Sequence, residues 1–168
     1  CEFLGSVDTL IAASKLKSLV YEQPIEQNGK LSVYEKPFKD RDYIITVDVA
    51  RGVSKDYSAF VVVDITHFPY RVVATFKDNE IKPMLFPSVI EDVAKAYNNA
   101  YVLCEVNDIG DQVASILFYD LEYENLLMVA MRGRAGQIVG SGFSGVKTQL
   151  GVKMSTTTKK VGCSNLKT

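Results

Sequence analysis

Apolar positions along this 168-residue chain fall into short β-branched runs, with two helical stripes set between the later ones. Tyr43-Ile44-Ile45-Thr46-Val47-Asp48-Val49-Ala50-Arg51-Gly52 reads as a buried strand that carries one carboxylate near its C-terminal end and then reaches a glycine turn. Ser58 to Ile65 and Tyr70 to Lys77 follow as second and third strands. Short connections make these three an antiparallel meander. From Pro83 to Asn98, Leu85, Val89, Val93 and Tyr97 recur every four residues with Ile90 and Ala94 beside them, an amphipathic helix with Pro87 in its first turns. Ala100 to Val106 is a fourth strand with Glu105 near its end. Asp108 to about Tyr119 forms a helix that turns Val113, Ile116 and Leu117 inward, and Leu126 to Met131 is a fifth strand.

The flanks are less regular. Ser14 to Val20 has room for a helical turn or two. Asn28-Gly29 between alternating arms predicts a hairpin, and Pro24 and Pro37 keep its arms at a sheet edge. Six glycines between Arg132 and Lys153 predict a loop or a long mobile hairpin. Ser155 and the threonines after it open a last helix. The element order predicts an α/β fold: a mixed five-stranded sheet, its first three strands antiparallel, with helices on both faces and an N-terminal hairpin. Residues 1–40 read as a linker and edge hairpin, and 41–168 as one domain.

Composition narrows the field. The apolar fraction of 47% and charged fraction of 23% belong to an ordinary globular chain. No apolar run approaches the roughly 20 residues of a membrane span, so no membrane partner is expected. Cys1, Cys104 and Cys163 are scattered and make neither a disulfide framework nor a zinc spacing. Cys104 lies within a strand and reads as core packing; His67, the sole histidine, sits in a turn and reads as exposed. The charge is asymmetric. Residues 1–124 hold twelve basic and twenty acidic side chains, a net of −8, while 125–168 hold seven basic and none acidic. Arg132, Arg134, Lys147, Lys153, Lys159 and Lys160 are therefore candidate contacts to a phosphate backbone, against the plainer reading of a solvated surface. Gly140 to Thr148 is similar to a phosphate-binding loop, but Val146 separates the last glycine from Lys147, which favours a glycine-rich hairpin over ATP binding.

Asp48 and Glu105 carry the chemistry. A helical crossover places the fourth strand parallel to the central one and beside it, so both acids converge at neighbouring strand ends. Two carboxylates that close repel unless a cation lies between them. Hard oxygen donors with open water positions suit Mg²⁺ or Mn²⁺, ions that serve phosphodiester hydrolysis. Asp56, Asp108 and Asp111 are close in sequence and available as outer ligands. The competing reading makes Asp48 and Glu105 strand-end acids tied into structural hydrogen bonds.

Val47-Asp48-Val49-Ala50-Arg51-Gly52 with Asp56-Tyr57-Ser58-Ala59, Glu105-Val106-Asn107-Asp108-Ile109-Gly110, Asp120-Leu121-Glu122-Tyr123-Glu124 and the run from Thr158 to Lys167 together resemble a known family. It is the C-terminal nuclease domain of the large terminase subunit of tailed bacteriophages, nearest to the myovirus-type branch. Glu2-Phe3-Leu4-Gly5 resembles the segment that joins this domain to the packaging ATPase. The resemblance implies a ribonuclease H-like fold and a metal-dependent endonuclease that cuts concatemeric double-stranded DNA in viral packaging, in the host cytoplasm. It implies Asp48 and Glu105 as catalytic metal ligands for Mg²⁺ or Mn²⁺, Asp56 as a further acid at the metal, and a third family aspartate on a helix beyond Thr168. The implied partners are DNA, the packaging ATPase domain of the same polypeptide, the portal and the small terminase subunit. ATP would be handled by that ATPase domain only. Two alternatives remain: a non-catalytic DNA-translocation or portal-docking module of the same fold, and a resolvase- or transposase-type nuclease core.

Overall fold

The computed structural model describes residues 13–52, 56–131, 137–140 and 148–167. They divide into two units, Pro24–Lys153 and a second that combines Cys1–Gln23 with Met154–Thr168. The second unit holds α1 (Ala13–Ser18) and α4 (Thr156–Lys167). Ser155 caps α4 as its sequence predicts: the Ser155 hydroxyl accepts from the Thr158 N–H at 3.1 Å.

The larger unit is built on a six-stranded sheet. Its strands are β1 (Glu26–Asn28), β2 (Leu31–Val33), β3 (Tyr43–Asp48), β4 (Ser58–Asp64), β5 (Arg71–Asp78) and β6 (Tyr101–Cys104). Their spatial order is β1-β2-β5-β4-β3-β6. The meander β3-β4-β5 is antiparallel, and β6 adds to β3 in parallel after the crossover through α2 (Phe86–Ala96). The Asn28-Gly29 hairpin forms, with Gly29 at φ +60°, and its second arm pairs with β5. The hairpin is therefore part of the sheet, which has six strands rather than five.

Alternation sorts the side chains of this sheet. Tyr43, Ile45 and Val47 of β3 share a face with Phe60 and Val62 of β4, Ala74 and Phe76 of β5, and Val102 and Cys104 of β6, all buried. Phe86, Ile90 and Ala94 of α2 seal that face together with Val113 and Ala114 of α3 (Gly110–Ser115) and Leu117 of the π-helical turn Ile116–Asp120 that continues it. Phe60, Phe76 and Phe86 stack there at 5.0–6.0 Å between ring centres. Within this unit α2 and α3 both pack on this one face. On the opposite face Ile44, Thr46, Asp48, Val61 and Leu103 are half-buried or exposed.

The predicted fifth strand also departs from expectation. Leu126 bridges to Val102 in parallel, beside the start of β6, but the chain then leaves the sheet. β7 (Met128–Met131) becomes the middle strand of a three-stranded antiparallel sheet with β8 (Gln137–Gly140) and β9 (Thr148–Leu150). The glycine-rich region thus holds two strands where a loop or hairpin is expected. Strand pairing overrides a composition that by itself favours loop.

The sheet end remote from Asp48 is tied by ions. Asp64 is 5% exposed, and its carboxylate accepts from Arg41 Nη1 at 2.7 Å and from the Thr66 N–H at 3.0 Å. Arg41 also reaches Glu35 at 3.0 Å. Burial pushes the Asp64 carboxyl up, but the hydrogen bonds from Thr66 and the charge of Arg41 outweigh it, so the group titrates below its ordinary value of 3.8. A carboxyl with a depressed folded-state value stabilises the fold above its unfolded value and stops doing so as pH falls through the folded one. Asp64→Ala is therefore expected to cost about 2 kcal/mol at pH 7, a deficit that shrinks as the pH is lowered below 3.8. Urea denaturation of parent and variant at pH 7 and pH 3 measures it; an equal deficit at both rejects the ionic origin.

Candidate functional site

Asp48 closes β3 on the exposed face, because Val47 before it is turned into the core. The parallel register pairs Val47 with Cys104, and the Glu105 N–H donates to the Val47 carbonyl at 2.8 Å. The next step of the same register sets Glu105 beside Asp48. Strand neighbours lie about 4.8 Å apart, and alternation sends both side chains off the face opposite Val47 and Cys104. Glu105 is half-buried and fixed from its other side as well: it bridges to Val152, whose carbonyl accepts from the Val106 N–H at 2.9 Å. Gly110, at the start of α3, backs directly onto Glu105. A Cβ at Gly110 would run into the Glu105 carbonyl oxygen.

Beside the strand ends opens a cleft of about 460 Å³ lined by Asp48, Arg51, Asp56, Tyr57 and Asp108 among others. Ala50, one of its lining residues, is held by the buried Ser58 hydroxyl, which accepts from the Ala50 N–H at 3.1 Å and donates to the Ala50 carbonyl at 3.3 Å. At the rim Arg51 grips Asp108 with two hydrogen bonds, Nε to Oδ2 at 2.7 Å and Nη2 to Oδ1 at 2.6 Å. That grip holds the Asp108 carboxyl below the usual carboxylate range and raises the Arg51 guanidinium above its own. The pair is exposed on both sides, so its contribution to stability is small. Lys77 places its ammonium 4.0 Å from the centre of the Tyr57 ring.

The expected acids are therefore partly gathered. Asp48 and Glu105 each follow directly on the paired residues Val47 and Cys104, Asp56 and Asp108 share the cleft with Asp48, and Asp111 is exposed on the first turn of α3. Among the described residues no three His, Cys, Asp or Glu side chains converge closely enough to hold a metal ion. The three-ligand set Asp48, Glu105 and Asp56 is thus not assembled here. Asp56 precedes β4, and Ala59 is the residue that strand sets against Asp48 at the end of β3, so Asp56 lies past the ladder. What remains is a pair of hard carboxylates at an open strand end. That donor set fits Mg²⁺, which binds through one or two carboxylates and keeps several waters.

Of the basic candidates, Arg132, Arg134 and Lys147 lie outside the described residues. So do residues 141–147 of the glycine-rich segment, which β8 and β9 flank with no strand-to-helix frame for a phosphate-binding loop. Lys153 is exposed directly after Val152, the residue bridged to Glu105. Lys159 and Lys160 are exposed on α4, in the other unit. Cys104 is buried, its thiol pushed up to about 12 by burial, which makes it a poor nucleophile, and His67 is exposed in the turn between β4 and β5. Sequence alone assigns no role to Arg51 or Lys77. Arg51 stands three residues after Asp48, within reach of the same strand end, and that spacing is the only signal for it.

Residues 45–168 match the family model described as the terminase RNase H-like domain. Among solved structures the chain is similar to the large terminase nuclease from thermophilic phage G20c. With bound magnesium, the match has a TM-score of 0.66 at 23% identity over 97% of this chain and 70% of that one. With bound cobalt, the TM-score is 0.65 at 23% identity over the same shares. With bound zinc, it is 0.60 at 24% identity over 86% and 68%. At these identities the likeness establishes the fold, while the family match spans most of the chain, including both strand-end acids. The chain belongs to the terminase RNase H-like domain family.

Proposed function

We propose that this chain is the divalent-metal-dependent endonuclease domain of a viral DNA-packaging terminase, hydrolysing phosphodiester bonds of concatemeric double-stranded DNA. The observation that carries the reading is the parallel pairing of β3 with β6 up to Val47 and Cys104, the residues that directly precede Asp48 and Glu105. The metal bound to the phage G20c nucleases in crystals supports it. Asp48 and Glu105 would hold Mg²⁺ or Mn²⁺ through carboxylate oxygens. Such an ion, when bound, supplies Lewis acidity and lowers the pKa of its water. Asp56, across the cleft, would accept a hydrogen bond from water entering the site. Lys153, Lys159 and Lys160, with Arg132, Arg134 and Lys147, would follow the DNA backbone without reading sequence.

On this reading 41–168 is the nuclease part and 1–40 leads in from a packaging ATPase domain, where ATP is used. The portal and the small terminase subunit are the assembly partners, in the host cytoplasm. No helix among the described residues is long and apolar enough to cross a membrane. A third metal ligand is proposed on a helix C-terminal to Thr168. A second reading, a non-catalytic DNA-translocation or portal-docking module, is favoured by one observation: the described residues assemble no three-acid metal site.

Supercoiled-plasmid cleavage in Mn²⁺ and in EDTA, with melting curves in the same buffers, separates the two. The chain, alone or extended at its C-terminus, is expected to nick only with Mn²⁺ and to melt higher with it. Absence of both effects in both forms rejects the nuclease reading and favours the docking one.

A further inference from the structure

Resting on the nuclease reading, we propose that Arg51 is the phosphate-binding residue of this cleft and that Asp108 is the positioning residue that aims it. The electrostatics demand a cation there. Asp48, Asp56 and Asp108 present three carboxylates to the cleft, and among its described lining residues Arg51 is the only basic one. Two like unit charges 4 Å apart repel by about 4 kcal/mol at the effective dielectric near a protein surface. A cation on the same rim, beside the divalent ion that the nuclease reading puts at Asp48, eases the approach of a DNA strand to these acids.

The geometry supplies one that is already oriented. A guanidinium has five N–H donors in a rigid plane. Asp108 takes the Nε edge, through Nε and Nη2. Both Nη1 hydrogens and the second Nη2 hydrogen remain, and Nη1 has no hydrogen-bond partner among the described residues. That outer Nη1–Nη2 edge is a second fork, matched to two oxygens of one phosphate. Asp108 thus fixes the plane of the guanidinium without using the edge that phosphate needs. The ion pair joins segments 57 residues apart, the loop after β3 and the loop after β6, so it sets Arg51 relative to both strand-end acids. As a surface ion pair, with side chains 68% and 59% exposed, it is a weak strut.

The test measures DNA binding apart from cleavage. Anisotropy of a labelled duplex of about 20 base pairs, with Ca²⁺ in place of a cleavage-supporting metal, is followed across a salt series for the parent, Arg51→Ala, Arg51→Lys and Asp108→Asn. Melting curves with and without Mn²⁺ accompany each variant. Arg51→Ala is expected to bind about tenfold more weakly, with its salt slope reduced by about 1. Arg51→Lys is expected to keep the slope and recover part of the affinity, because charge returns without the fork. Asp108→Asn is expected to keep the slope and lose about threefold in affinity, because the charge remains but its plane is released. Unchanged affinity and slope in Arg51→Ala overturn the proposal, and a lowered melting point with unchanged slope assigns the pair to structure alone. The nuclease reading is judged separately, by the Mn²⁺ shift of the parent: loss of slope in Arg51→Ala without any Mn²⁺ shift retains Arg51 as a DNA contact and removes the nuclease.

Discussion

Asp48→Ala is expected to lower Mn²⁺-dependent plasmid cleavage by about 10³-fold or more, the scale on which rate is lost when a group that stabilises transition-state charge is removed. The same change is expected to leave the metal-free fold intact. Asp48 is exposed and ends its strand, so its removal opens no cavity. The two effects together are diagnostic. A residue kept for structure lowers stability when removed, whereas a residue kept for a ligand lowers only ligand-linked stability. Melting curves read this directly, because a ligand that binds only the folded state adds about 2.7 kcal/mol at a hundredfold excess over its dissociation constant. The parent should gain stability with Mn²⁺ and Asp48→Ala should not, while the two melt within about 1 kcal/mol of each other in EDTA. A variant that cuts like the parent, or one that melts much lower in EDTA, is incompatible with Asp48 as a metal ligand.

Gly110→Ala is expected to be strongly damaging, at about 3 kcal/mol. The new Cβ would meet the carbonyl oxygen of Glu105, a backbone atom that cannot swing aside as a side chain can. Relief requires moving either α3 or the end of β6, and Glu105 sits on the latter. Stability and metal response should therefore fall together, the reverse of the pattern at Asp48. Gly162→Ala in α4 is the control: nothing lies within 4 Å of a Cβ there, so the helix should gain about 0.5–1 kcal/mol. Urea denaturation and Mn²⁺ melting shifts measure both. A Gly110→Ala chain with parental stability means that the α3–β6 approach is looser than described.

Much of the fold was legible because its signals are local. β-Branched alternation over Tyr43–Asp48 and Ser58–Asp64 fixes strand identity, and the four-residue spacing of Val89, Val93 and Tyr97 fixes α2. The same alternation tells that Asp48 faces away from Tyr43, Ile45 and Val47. Other features were not legible because they are choices between partners. Nothing in Leu126–Met131 says that the strand leaves the main sheet after one bridge, and nothing in the glycines from Gly133 onward says that β8 and β9 will pair with it.

By itself the sequence determined that two acids stand at strand ends, that the chain is α/β, and which family it resembles, since periodicity and motif spacing are properties of neighbouring residues. Only the tertiary structure decided that Glu105 stands one register step from the Val47–Cys104 pair and thus beside Asp48, that Asp56 falls past the ladder, and that Arg51 clasps Asp108 across 57 residues. The physical reason is that hydrogen-bond register and ion pairing across a closed chain depend on which distant backbone arrives alongside, and a linear pattern does not contain that distance.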